Sequence, residues 1–192
     1  MPHKFSPASV AKLEDPRRFH PSSPREILEG AGLKEGMRVA DVGCGVGVFA
    51  MPAAIQVGES GIVYAVDPQE EMLSILRDRA SAAGVGNIRP LRSSEERIPI
   101  PDWTLDLVLM VDVLHELEGD GTLKEVRRIL SPGGILVVVD WRRDGGEDMG
   151  PPREERVPED EVRRRLSSLG FGDVRRVRAG EEHYGLVFRR RS

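Results

Sequence analysis

The feature that most constrains this chain is a glycine loop placed directly after an apolar segment. Met37-Arg38-Val39-Ala40-Asp41-Val42 reads as a short strand, and it runs into Gly43-Cys44-Gly45-Val46-Gly47. Glycines let the backbone turn tightly and let a ligand approach with no Cβ in the way. A helix is expected to open at about Val48, with Phe49, Ala50, Ala53, Ala54 and Ile55 apolar and Pro52 harmless in the first turn. Its N-terminus would turn free N–H groups and a positive dipole end toward the loop, which suits a carboxylate or a phosphate.

The pattern then repeats. Ile62–Val66 is an apolar strand ending at Asp67, and Pro68 starts a helix with Met72, Leu73, Leu76 and Ala80 on one face. A weaker strand follows at Ile88–Arg92. Leu105–Val111 is almost wholly apolar, as a strand buried on both faces of a parallel sheet would be. A helix with Leu123, Val126 and Leu130 leads through the turn Ser131-Pro132-Gly133-Gly134 to a strand at Ile135–Val139, which ends at Asp140-Trp141. Residues 142–157 read as a loop and Pro158–Leu169 as a helix, followed by strands at Asp173–Arg178 and Tyr184–Arg189. Alternation of this kind predicts an α/β fold, a doubly wound seven-stranded sheet with helices on both faces. The link Ala179–His183 is too short for a crossover helix, so the last strand should be antiparallel.

Upstream, residues 1–23 carry four prolines and little periodicity, and are read as an N-terminal arm. Ser23-Pro24 looks like a helix cap, and residues 24–192 are expected to form one domain. With 192 residues such a domain can bury a core without staples. Cys44 is the single cysteine, which excludes an internal disulfide or a cysteine-based zinc cluster. No apolar run approaches the ~20 residues that span a bilayer, and the first residues lack the apolar stretch of a signal peptide. The expectation is a cytoplasmic protein with no membrane partner.

Ligands on open α/β sheets bind at the carboxyl ends of the strands. There Asp67, 20 residues after Gly47, can accept hydrogen bonds from ribose hydroxyls. Glycine loop and spaced acid together point to a nucleoside-bearing cofactor. Gly45-x-Gly47-x-x-Ala50 also matches the dinucleotide fingerprint, so an NAD(P)-dependent oxidoreductase is the alternative. Two features count against it. Asp41 points a negative charge at the loop, which repels a pyrophosphate and attracts an ammonium group, and the antiparallel finish fits poorly with six parallel strands.

From about Arg25 onward the chain resembles the class I S-adenosylmethionine-dependent methyltransferases, in particular a small prokaryotic subgroup. Gly36–Gly47, Val63-Tyr64-Ala65-Val66-Asp67-Pro68 with Met72, Leu105-Asp106-Leu107-Val108 with Val113-Leu114-His115-Glu116-Leu117, and Leu130–Leu136 are similar to four of that family's motifs, in order. The resemblance implies a Rossmann-like fold and S-adenosyl-L-methionine as the cofactor. By the same resemblance Gly43, Cys44, Gly45 and Gly47, with Asp41 behind them, lie against the methionine part. Asp67 would hold the ribose, Pro68 and Met72 would flank the adenine, and Val111 would offer backbone groups to the amino end. Where the family often has an Asp after the third strand this chain has Ser94, so Ser94 or Glu95 would supply the adenine contact.

On the acceptor side, His115 beside Glu116 is the candidate general base, with Trp141 as a pocket wall. The arm, through Arg17, Arg18, Phe19 and His20, is expected to cover the site together with loop 142–157, because methyl transfer needs water kept out. His183 and Tyr184 are read as structural. Asp112 and Asp140 end neighbouring strands but lack a third ligand, so no metal is expected. Arg163-Arg164-Arg165 reads as a solvated helix face and Arg189-Arg190-Arg191 as a chain end. Aromatics make up only 5% of residues, so nucleic acid is not favoured and a small-molecule acceptor is expected. A non-catalytic S-adenosylmethionine-binding partner protein is the further alternative.

Overall fold

The computed structural model describes residues 12, 14–94, 96–146 and 148–192. Seven strands form one sheet: β1 Arg38–Val42, β2 Ile62–Asp67, β3 Ile88–Arg92, β4 Leu105–Val111, β5 Leu130–Trp141, β6 Phe171–Arg176 and β7 His183–Arg190. Their spatial order is β3-β2-β1-β4-β5-β7-β6. β1 to β5 pair in parallel, while β7 runs antiparallel to both β5 and β6. The antiparallel last strand follows from the short link before it, as expected. The order reverses between β1 and β4, and the carboxyl ends Val42, Asp67, Val111 and Trp141 gather at one edge.

Helices cover both faces because the central strands are apolar on both. α1 Pro24–Ala31, α2 Ala50–Val57 and α3 Glu70–Ala82 pack over one side, where Leu107 and Leu109 of β4 point. α4 Gly121–Ile129 and α5 Glu159–Ser168 pack over the other, where Leu105, Val108 and Met110 point. The cap read at Ser23 is present: Ser23 and Glu26 exchange hydrogen bonds as a capping box, with Pro24 in the first turn and Gly32 closing the helix. No described helix is long and apolar enough to cross a membrane.

Several boundaries differ from the sequence-based expectation. α2 opens at Ala50 rather than Val48, because residues 45–49 are turns that carry the chain out of β1. Ile55 is 71% exposed, on the outer face of that helix. α3 starts at Glu70, leaving Pro68 in the connecting turn. β5 starts at Leu130, since Leu130 pairs with Leu105 and Ser131–Gly134 is drawn into the strand as an irregularity. β6 starts at Phe171, which is fully buried and pairs with Arg190. The arm has local structure of its own: Pro16–Phe19 is a 3₁₀ turn capped by the Asp15 carboxylate on the Arg17 N–H.

Candidate functional site

A cavity of about 1240 Å³ opens over the carboxyl ends of the strands. Ligand pockets usually enclose ~300–1,000 Å³, so this one has room for two occupants side by side. One half is built by the glycine loop and the end of β2. Gly43, Gly45, Asp67, Pro68, Met72 and Ser94 all line it. Asp67 grips the loop from across the sheet: one carboxylate oxygen accepts the Gly45 N–H at 2.9 Å and the other the Gln69 N–H at 2.9 Å. Burial raises its pKa, opposed by those two hydrogen bonds.

Asp41 lies beneath the loop, 2% exposed, and its Oδ2 has no hydrogen-bond partner. Desolvation, then the charge of Asp67, raise its pKa to about 7, against a hydrogen bond from the Ala50 N–H. A buried carboxylate oxygen of this kind calls for a cation or a donor. Two of the glycines are also required by packing. A Cβ on Gly43 would sit 2.4 Å from Val113 Cγ2, and one on Gly47 would sit 2.3 Å from Leu76 Cδ1 with φ at +90°. Gly47→Ala should therefore cost about 1–3 kcal/mol of stability by overpacking. A denaturant midpoint equal to that of the unmodified chain would show that Leu76 simply moves aside.

The other half of the cavity belongs to β4 and β5. Val111, His115, Glu116 and Trp141 line it. His115 Nδ1 lies 2.9 Å from Asp140 Oδ1. Asp112, in the left-handed region at φ +57°, forms an ion pair with Arg18 of the arm, and His183 Nε2 lies 3.0 Å from its Oδ1. Burial alone would raise the Asp112 carboxyl, but the charges of His183 and Arg18 outweigh it and hold it well below the usual range. Both aspartates considered as metal ligands are thus turned to protein partners. Among the described residues no group of three or more His, Cys, Asp or Glu is placed to hold a metal ion.

The arm is locked at this end. Phe19 packs edge-on to Phe49 at 5.1 Å and against His183 at 4.9 Å, while Glu181 N–H donates to His20 O at 3.0 Å. Loop 142–157 is organised by Arg156, which is 2% exposed. It donates to four carbonyls, those of Pro151, Arg142, Gly146 and Met149, and lies over the Trp141 ring at 5.6 Å. Tyr184 adds a bond from its hydroxyl to Val157 O. Met149, Gly150, Pro151 and Pro152 are thereby held as a wall of the cavity.

The structure thus brings Gly43, Gly45, Asp67, Pro68, Met72, Ser94, Val111, His115, Glu116 and Trp141 around one cavity, with Arg17 and Arg18 of the arm. Other expectations change. Asp41, Cys44 and Gly47 lie behind the loop rather than on the wall. Cys44 is buried and its thiol is pushed up by desolvation, so it is no nucleophile. Phe19 is in the core and His20 is exposed, neither on the cavity wall, because the arm turns its ring inward to pack on Phe49. Glu95 lies outside the described residues. Arg190, read as part of a chain end, is buried in β7 and donates to Leu130 O at 2.6 Å. The other run pairs with acids: Arg163 with Asp173, Arg164 with Asp160 and Arg165 with Asp120, as on a solvated face. Arg156 and the Asp140–His115 contact had no local signal, since each joins residues through the fold.

A family model described as "Methyltransferase domain" matches residues 40–138. The ubiquinone/menaquinone biosynthesis C-methyltransferase of Azotobacter vinelandii is 32% identical over 128 residues, 66% of this chain and 51% of that protein. The demethylmenaquinone methyltransferase of Geobacillus kaustophilus is 31% identical over 124 residues, 64% of this chain and 53% of that protein. The chain spans about half the length of these curated relatives. A solved S-adenosylmethionine-dependent methyltransferase from Aquifex aeolicus superposes with a TM-score of 0.90 at 38% identity, covering 97% of this chain and 99% of that one.

Proposed function

The chain belongs to the methyltransferase-domain family, and from that premise we propose that it is an S-adenosylmethionine-dependent methyltransferase acting on a small-molecule acceptor. The observation that carries this reading is the Asp67 carboxylate at the carboxyl end of β2, on the wall of the same cavity as Gly43 and Gly45. Each residue there has a part. Asp67 would accept hydrogen bonds from the ribose hydroxyls. Met72 and Pro68 would flank the adenine, with Ser94 beside it. Gly43, Gly45 and Val111 would present backbone. Asp41, buried behind the loop, would favour the positive amino end of the cofactor through its charge rather than by contact, and a nicotinamide dinucleotide offers no such group. When bound, S-adenosylmethionine supplies an electrophilic sulfonium methyl group. The chain's own work is to align an acceptor against that methyl and to exclude water.

Arg17 and Arg18 from the arm and residues 148–152 from the loop supply the cover, around an acceptor half with apolar Leu117, Met149 and Trp141. The names of the curated relatives, which refer to ubiquinone and menaquinone biosynthesis, support a small organic acceptor.

Thermal melts with S-adenosylhomocysteine test the reading. At 100 times its dissociation constant the ligand should stabilise the chain by about 2.7 kcal/mol. Asp67→Ala should weaken binding by about 1.5–3 kcal/mol for each charged hydrogen bond lost. A wild-type chain that shifts with NAD and not with S-adenosylhomocysteine would overturn the assignment.

A further inference from the structure

We infer that the arm is a clamp linked to the cofactor. Docked through Arg18, it holds the end of β4 and the glycine loop in binding geometry, and bound cofactor in turn holds the arm closed. Arg18 is then a positioning residue for cofactor binding as well as part of the cover. The inference rests on the methyltransferase reading above and adds a conformational link to it.

Three contacts tie residues 14–19 to the two segments that flank the glycine-loop half of the cavity. Arg18 forms its ion pair with Asp112 just past the end of β4, both side chains being nearly buried. Glu14 pairs at 2.6 Å with Arg79 of α3, and the same guanidinium donates at 3.4 Å to the carbonyl of Val46 inside the glycine loop. Phe19 packs on Phe49, where the turns of that loop end.

Asp112 is the pivot. Its φ of +57° is uncommon outside glycine, and a residue stays there where its surroundings fix it. Here the N–H donates to Val139 O at 2.8 Å, one carboxylate oxygen meets Arg18, and the other lies 3.0 Å from His183 Nε2. Val111 and Val113, on either side, line the cavity, and Val113 packs on Gly43 so closely that no Cβ fits between them. Asp112 is thus joined to the glycine loop through its neighbour and to the arm through its own side chain. Its other charged surroundings belong to the sheet end. Burial opposes the His115 imidazolium, but its hydrogen bond to Asp140, then the charges of Asp140, Asp112 and Glu116, outweigh this and raise its pKa. Arg18 is the cation that comes and goes with the arm.

The two covers of the cavity are held differently. Loop 142–157 is tied by the four carbonyls on Arg156, by the Tyr184 hydroxyl on Val157 O, and by Glu182, which accepts the Gly146 N–H at 2.7 Å. The arm is anchored at its downstream end. There Glu181 N–H donates to His20 O, and a Cβ on Gly180 would sit 2.5 Å from Phe19 O. Upstream of that anchor, ion pairs from Glu14 and Arg18 tie it down. These can release together while the loop stays bonded through its backbone, so ligand exchanges past the arm. Linkage then requires reciprocity: the factor by which the docked arm strengthens cofactor binding is the factor by which cofactor strengthens docking.

The test uses the full chain with S-adenosylhomocysteine as the probe. Hydrogen exchange should show the amides of residues 15–20 slowed about tenfold or more by the ligand, a size usual for coupled sites. Calorimetry, at a temperature where every chain is folded, should show Arg18→Met binding the probe weaker by a similar factor, with Arg18→Lys keeping most of the affinity. Asp112→Asn, which keeps a residue tolerant of the left-handed region, should bind weakly too and lose the ligand's effect on arm exchange. The double variant Arg18→Met with Asp112→Asn should bind no worse than either single one. A merely structural ion pair predicts otherwise: a lower Tm for Arg18→Met with unchanged affinity, and arm exchange indifferent to the ligand. Either of those last two results would overturn the clamp. So would arm protection that survives in Asp112→Asn, since the ligand would then be touching the arm directly. Should a variant fail to fold, the wild-type exchange with and without ligand decides. A wild-type chain that binds no S-adenosylhomocysteine condemns the methyltransferase reading itself, whereas full affinity in Arg18→Met condemns the clamp alone.

Discussion

Arg18→Ala is expected to destabilise the chain by about 3–5 kcal/mol, the usual effect of removing one partner from a buried ion pair. The side chains of Arg18 and Asp112 are only 10% and 8% exposed, and they join the arm to the end of β4 across 94 residues of sequence. Without Arg18 the Asp112 carboxylate loses its guanidinium partner and is left with the neighbouring imidazoles of His183 and His115. For a chain of this size each kcal/mol moves Tm by about 2–4 °C, so a fall of about 10 °C is expected. The depressed pKa of Asp112 adds stability that is present above pH ~4 and is lost on acidification below it. Arg18→Ala should flatten that acid limb. Combining Arg18→Met with Asp112→Asn should recover much of the loss, because neither charge is then left alone. Scanning calorimetry with a wild-type Tm for Arg18→Ala would show that the Arg18–Asp112 pair contributes nothing to the fold.

Asp41→Asn should do the reverse, stabilising the ligand-free chain while weakening cofactor binding. Burial, then the charge of Asp67, raise Asp41 from an ordinary 3.8 to about 7. A raised carboxyl pKa contributes stability that is complete below pH ~4 and is lost as pH rises through 7. The gap corresponds to roughly 4 kcal/mol lost by the wild type between those limits. Raised His115 acts in the same sense at higher pH, so the comparison with Asp41→Asn isolates the aspartate. The variant should be the more stable chain at pH 8 and nearly its equal at pH 4. Binding of S-adenosylhomocysteine should meanwhile weaken, because the negative charge behind the loop that favours its positive amino end is removed. Parallel stability curves for the two chains across that range would refute the assignment.

The glycine loop, the Asp67 that follows it and the β-α alternation were legible because each is written in a few consecutive residues. Apolar periodicity identified the strands buried on both faces, such as Leu105–Val111, and the short Ala179–His183 link implied the antiparallel β7. Boundaries moved where a contact from elsewhere in the chain intervened. β5 grew back to Leu130 because Leu105 pairs with it, and α2 began late because the turn after Gly45 uses those residues.

What only the tertiary structure decided was which groups share a wall and which lie behind it. Gly47 reads like its neighbours in the loop, yet Leu76 from α3 occupies the space a Cβ would need. Phe19 and Arg18 are adjacent in an unremarkable polar arm, but one packs into the core and the other pairs with Asp112. Asp140 looked like a spare carboxylate at a strand end until the fold set it against His115, and Arg156 gathers four carbonyls that no pattern links. The sequence alone determined the class of fold and the segments that build the glycine-loop half of the cavity, since local backbone chemistry and periodicity suffice for a strand, a glycine turn and a terminal acid. The half formed by β4 and β5, with its charges, depends on side chains brought together from distant segments, and only the packed chain specifies which of them meet.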